Sequence, residues 1–139
     1  MKWRECLEEG IVRKRSKDVE LARSLLVAAK DRIEEYAEKQ EITEKNARFV
    51  FEEYYEAILE LIHSLLAASG YKVGNHECAI EFLRFYPKVG ESEIELLHRM
   101  RRIRNSIKYY GLLMHREEIE ELISQARILF YKIIKLPAR

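Results

Sequence analysis

The chain is poor in the residues that punctuate loops. It has 139 residues with only 5 Gly and 2 Pro, too few for the turns of a β-sandwich, a collagen or a low-complexity tract. Its two cysteines, Cys6 and Cys78, cannot build a disulfide scaffold and read as free thiols of a reducing compartment. Long apolar runs are missing as well. The most apolar stretch, Ala57 to Ala68, is short and carries Glu60 and His63, which suits a buried helix rather than a membrane span. The opening residues Met1-Lys2-Trp3-Arg4-Glu5 lack the charged-then-apolar order of a signal peptide. No single sign of charge dominates: 25 Lys+Arg stand against 24 Asp+Glu, a net charge of +1. That balance excludes a protein coated in positive charge for nonspecific nucleic-acid binding. The expectation is a cytoplasmic protein with no membrane segment.

What is present is helical period. Hydrophobic residues make up 47% and charged residues 35%, and nearly every segment repeats its apolar positions at helical spacing. One domain over residues 1–139 is expected, with no linker and no internal repeat. A first helix is read from Lys2 to Val12, with Trp3, Leu7 and Ile11 on one face. A second follows Ser16 as N-cap, with a stripe of Val19, Ala22, Leu26, Ala29, Ile33 and Tyr36. Thr43 caps a third, long helix that stops at Gly70. Asn75 caps a fourth that runs to Tyr86, closed by Pro87 and Gly90. Ser92-Glu93-Ile94-Glu95 is a capping box for a fifth, which ends at Gly111, and a sixth runs from Glu117 to Lys135. Short connections favour antiparallel neighbours, so the expected fold is an all-α, up-and-down bundle of five to six helices.

On the third helix, apolar residues around Ile58 span about 180° of the circumference, more than one bundle interface needs. Either the helix sits centrally among several neighbours, or part of its face packs on a second copy.

Metal chemistry is considered on two Glu-x-x-His pairs, Glu60/His63 and Glu95/His98, the spacing that di-iron bundles use. The helical wheel turns both pairs away from their apolar stripes, so they read as solvent-facing charges. His76-Glu77-Cys78 is compact, but Cys6, His63, His98 and His115 supply no finger or ribbon spacing around it. His76 therefore reads as opening the fourth helix, with Cys78 in the core. No metal and no cofactor are expected, and no glycine-rich phosphate loop occurs.

The charge is distributed unevenly. From Leu96 to Arg116 there is no acid, while Arg99, Arg101, Arg102, Arg104, Lys108 and Arg116 lie in the same window. Residues 31–60 hold ten acids against four bases. Such a basic ridge, with tyrosines beside it, suits phosphate binding and base stacking. Arg101, Arg102, Arg104, Lys108 and Tyr110 are the candidate nucleic-acid-binding residues. Arg104 sits at the border of the apolar stripe of Leu96, Met100, Ile103, Ile107 and Tyr110, about 40° beyond Met100. Arg101, Arg102 and Asn105 face outward. A border arginine stays charged and needs a partner or an anion.

Arg104-Asn105-Ser106-Ile107-Lys108-Tyr109 resembles the signature of the HEPN superfamily: an arginine, a following polar residue, then a histidine separated from the arginine by four to six residues, on a late helix. Tyr55 to Gly70 (YEAILELIHSLLAASG), followed by Tyr71 and His76, is similar to that family's central helix and the loop after it. The resemblance covers roughly Ser16 to Ile134. It implies a helical homodimer whose two arginine motifs face one cleft, where active members cleave RNA without metal. It also implies small toxin-type proteins, many paired with a minimal nucleotidyltransferase antitoxin. Two roles follow as expectations: binding of RNA or a nucleotide at a cleft around Arg104, or service as a non-catalytic partner of a separate nucleotidyltransferase. The motif histidine is absent, since Tyr109, Tyr110 and Gly111 occupy its three spacings. Arg104, Asn105 and Tyr109 are the candidate catalytic residues, but a phenol with pKa near ~10 is a poor base at neutral pH.

Overall fold

The computed structural model describes residues 1–110 and 115–139, apart from the side chains of Tyr109 and Tyr110. Its elements are α1 (Trp3–Glu8), β1 (Val12–Lys14), α2 (Val19–Asp31), α3 (Ala47–Ser69), β2 (Tyr71–Val73), α4 (His76–Glu81), α5 (Glu91–Tyr110) and α6 (Arg116–Ile133). A π-helical turn, Arg32–Tyr36, and a 3-10 turn, Ala37–Lys39, extend α2, and a 3-10 turn, Phe82–Phe85, extends α4. The all-α bundle expected from the sequence is what the chain adopts.

α3 is the hub. α2 and α6 pack along it, and α4 and α5 close the remaining sides. Val50, Phe51, Tyr54, Tyr55, Ile58, Leu61, Ile62 and Leu66 of α3 are all buried within the chain. Its broad apolar face is thus filled by the chain's own helices and is not a surface for a second copy. Direction is fixed by polar contacts. Ser64 donates to the carbonyl of Ala22 at 2.6 Å, while Arg32, at the far end of α2, reaches Glu53 and Glu60. As α2 advances, its partners on α3 recede, so the two are antiparallel. Lys132 near the end of α6 likewise meets Glu93 at the start of α5.

Several local expectations are corrected. Gly10, at φ +74°, ends the first helix early, and the residues after it form β1 instead of reaching Val12 in helical form. β1 pairs antiparallel with β2, Val12 opposite Val73 and Lys14 opposite Tyr71. Three-residue strands are too short to show alternation. The cap of α2 is Asp18, whose carboxylate accepts from the Leu21 N–H at 3.0 Å, not Ser16. The Arg15 and Asp18 N–H groups bond the Gly70 and Ala67 carbonyls, which holds this segment against the end of α3 and delays the helix. α3 begins after Asn46, and Thr43 instead exchanges two hydrogen bonds with Asn46 one turn ahead of it. Gly90 takes the cap position of α5, with Glu93 reaching back to its N–H at 2.9 Å, so only half of the expected capping box forms, two residues early.

On α2, Ala22, Ala29, Ile33 and Ala37 are buried, while Val19 and Tyr36 are exposed. The π-helical turn adds a residue to its turn and moves the buried line from Tyr36 to Ala37. The thiol expectation fails outright: Cys6 and Cys78 form a disulfide across 72 residues. The β1–β2 pairing draws α1 onto α4 and brings the two sulfurs together, which sequence separation alone does not reveal. No helix among the described residues is long and apolar enough to cross a membrane.

Candidate nucleic-acid interface

Residues 101, 104, 105 and 108 follow one another at helical spacing along α5. Facing them are Glu52, Tyr55 and Glu56 of α3 and the first residues of α4. The core stripe of α3 fixes Tyr55, which is fully buried, and its hydroxyl ends 3.0 Å from His76 Nδ1. Asn75 places His76 by capping α4, its side-chain oxygen accepting from the Cys78 N–H at 2.8 Å. Cys78 is in turn tied to Cys6. His76 is therefore held from both sides.

Arg104 has a side chain only 13% exposed. It donates from Nη2 to Glu56 Oε1 at 3.0 Å and from Nη1 to Asn105 Oδ1 at 3.2 Å. Its guanidinium carbon lies 6.0 Å from the centre of the Tyr55 ring. Glu52 stands 3.9 Å from Nε, too far for a hydrogen bond, and Nε is buried with no hydrogen-bond partner among the described residues. Arg101 Nε is in the same state, while its Nη2 lies 3.6 Å from Glu77. Arg101 thus turns towards α4 and does not face outward as its wheel position implies. Arg102 and Lys108 are exposed, and Asn105 is half-buried beside Arg104. The side chains of Tyr109 and Tyr110, and the whole of Gly111, lie outside the described residues.

The electrostatics are set by burial and by the arginines. Burial lowers the pKa of His76; Glu56 pulls it up, and Arg104, Arg101 and Lys108 push it down again. The net shift is downward, so the imidazole is neutral at pH 7. Burial raises the Tyr55 phenol far above its usual range, and it stays protonated. A hydroxyl can donate to a bare Nδ1 or accept from a protonated one, so Tyr55 serves either tautomer. His63, on α3, is also lowered, first by burial and then by His76 nearby.

The Glu-x-x-His pairs are not simple solvent charges. Glu60 is salt-bridged to Arg32 at 2.6 Å. His98 bonds Glu81 at 2.7 Å, and Arg84 bonds the same carboxylate at 2.8 Å. Glu81 has a side chain only 5% exposed. Burial raises its pKa, but the hydrogen bonds from Arg84 and His98 outweigh that and leave it below the usual carboxylate range. Among the described residues no group of three or more His, Cys, Asp or Glu side chains is disposed to hold a metal ion.

Arg104, Asn105 and Arg101 are brought together as site residues. Sequence reasoning missed Tyr55, Glu56 and Glu52 because one reads as core and the others as solvated acids. His76 carried a signal only through the capping Asn75 and the loop after Gly70. Chemically, the arrangement sets two arginines with bare Nε–H donors beside a neutral imidazole, which suits an anion with several acceptor oxygens. No family model, curated protein or solved structure matches the chain.

Proposed function

We propose that the chain is a HEPN-like RNA-binding protein that takes a phosphate at Arg104 and acts as a homodimer. The observation that carries this reading is the juxtaposition of Arg104, Arg101 and His76 around Glu56 and Tyr55. Glu56 balances Arg104 at rest, and an incoming phosphate competes with Glu56 for a guanidinium whose buried Nε–H has no partner among the described residues. The dimer reading rests on the family resemblance and on α5, where Ile103, Ser106 and Ile107 beside Arg104 are only half-buried.

His76 is the proton-transfer group of this proposal, standing in for the histidine that the arginine motif lacks. With Nδ1–H donated to Tyr55, Nε2 carries the lone pair. It can accept the proton of a ribose 2′-hydroxyl as that oxygen attacks the adjacent phosphorus. The 5′-oxygen leaves with a proton from solvent, giving a 2′,3′-cyclic phosphate, while arginine stabilises the charge on phosphorus.

The test is RNA binding and cleavage by the purified protein beside Arg104→Ala and His76→Gln. Arg104→Ala weakens binding tenfold or more, and His76→Gln retains binding but abolishes cyclic-phosphate product. Binding indifferent to Arg104→Ala overturns the reading. Sedimentation equilibrium giving a monomer at micromolar concentration removes the dimer part.

A further inference from the structure

We propose that the cavity beside Arg101 is a second phosphate subsite, so that the ligand is a phosphodiester strand lying along α5 and not a mononucleotide. This rests on the reading of Arg104 as a phosphate site and extends it.

The cavity, of about 500 Å³, opens between α4 and the first half of α5. Its wall carries acids and bases in similar number, but they are not equally committed. Glu81 is bound by both Arg84 and His98, and Arg84 also bonds Glu91. Those carboxylates are neutralised within the wall. Glu77 is shared between Arg101 at 3.6 Å and the Met1 ammonium at 3.5 Å. Lys2 and Arg102 both line the cavity and have no carboxylate partner among the described residues, and Arg101 keeps its buried Nε–H unpartnered. Among the described residues, the carboxylate there without a basic partner is Glu95. The uncommitted charge of the cavity is therefore cationic, and its donors suit an anion.

Continuity with the first site comes through Arg101. It lines the cavity and also bears electrostatically on His76 and Tyr55. His98, Arg101 with Arg102, Arg104 with Asn105, and Lys108 follow one another three or four residues apart along one helix, about 4.5–6 Å at each step. A strand following that line presents one phosphate to Arg101 and Arg102 and the next to Arg104. A mononucleotide engages only one of these turns.

The experiment measures anisotropy of a fluorescein-labelled U6 RNA, with UMP as competitor, on the full chain. The variants are Arg104→Ala and the double variant Lys2→Ala/Arg102→Ala. U6 is expected to bind at least tenfold tighter than UMP. The double variant lowers the U6-to-UMP affinity ratio at least fivefold, and removing two phosphate contacts lowers the salt slope by about 1.4. Arg104→Ala weakens both probes. If U6 and UMP bind within twofold of each other, or the double variant leaves their ratio unchanged, the second subsite is overturned. With Arg104→Ala still weakening UMP, the first site survives that result. Failure of the wild-type chain to bind either probe overturns both.

Discussion

The Tyr55 hydroxyl meets His76 Nδ1 at 3.0 Å, joining a fully buried phenol of the central helix to the first residue of α4. The imidazole is the only hydrogen-bonding partner of that hydroxyl among the described residues. Tyr55→Phe deletes the bond and leaves Nδ1 unpaired, a cost of about 1–2 kcal/mol in chemical unfolding. A variant as stable as the wild type would show that the bond contributes nothing.

The pH dependence of stability follows from His76 and His63, both held below the ordinary value of 6.5, chiefly by burial. Below that value the unfolded chain binds more protons than the folded one. Stability therefore falls as pH drops through about 6.5 and continues to fall until the folded imidazoles protonate. Thermal melts between pH 7.5 and 5.5 should show this decline, and the pair His63→Gln/His76→Gln should flatten it. A slope unchanged in the double variant would assign the decline to other groups.

The Cys6–Cys78 disulfide closes a loop of 72 residues' separation. Chain-entropy arguments assign such a crosslink about 4 kcal/mol. Guanidinium unfolding with and without reductant should differ by an amount of that order, and Cys78→Ser should match the reduced protein. Coincident curves would show that the link contributes little to the fold.

Gly70 ends α3 at φ +90°, and a Cβ there would lie 2.9 Å from the Arg15 carbonyl oxygen. Both the left-handed backbone and the backbone contact oppose a side chain. Gly70→Ala should cost about 1–3 kcal/mol, whereas Gly10→Ala, with nothing within 4 Å of its Cβ, should cost less. Equal losses at the two glycines would remove the steric part of the argument.

Glu81 is an anion bound by Arg84 and His98 on the wall of the cavity between α4 and α5. Glu81→Ala leaves the largely buried His98 without its carboxylate, while Arg84 keeps Glu91, and should destabilise by about 1–3 kcal/mol. With its pKa lowered, Glu81 favours the fold above the ordinary carboxylate range, and that contribution is lost as pH falls through its folded value. The acid limb of the melting profile should therefore be shallower in the variant.

The helical architecture was legible because long elements repeat their apolar positions many times over. Asn75 and Gly70 were legible as cap and stop because each acts on its own backbone neighbourhood. β1, β2 and the disulfide were not, since pairing Val12 with Val73 depends on tertiary approach and leaves no local period. The π-helical turn hid in the same way: one added residue changes which side of α2 is buried without changing its composition. At the site, Arg104 stood out by its position at the edge of a stripe. Its partner Glu56 did not, because an acid on a helix reads alike whether it faces water or an arginine on another helix.

The position of α3 at the centre of the bundle also has a consequence for motion. Most of its residues between Val50 and Leu66 are buried, so their amide hydrogens should be among the slowest to exchange. Tyr55 and Glu56 lie within this stretch. Arg104 and His76 approach them from shorter or less covered elements and can shift while the platform beneath them stays still.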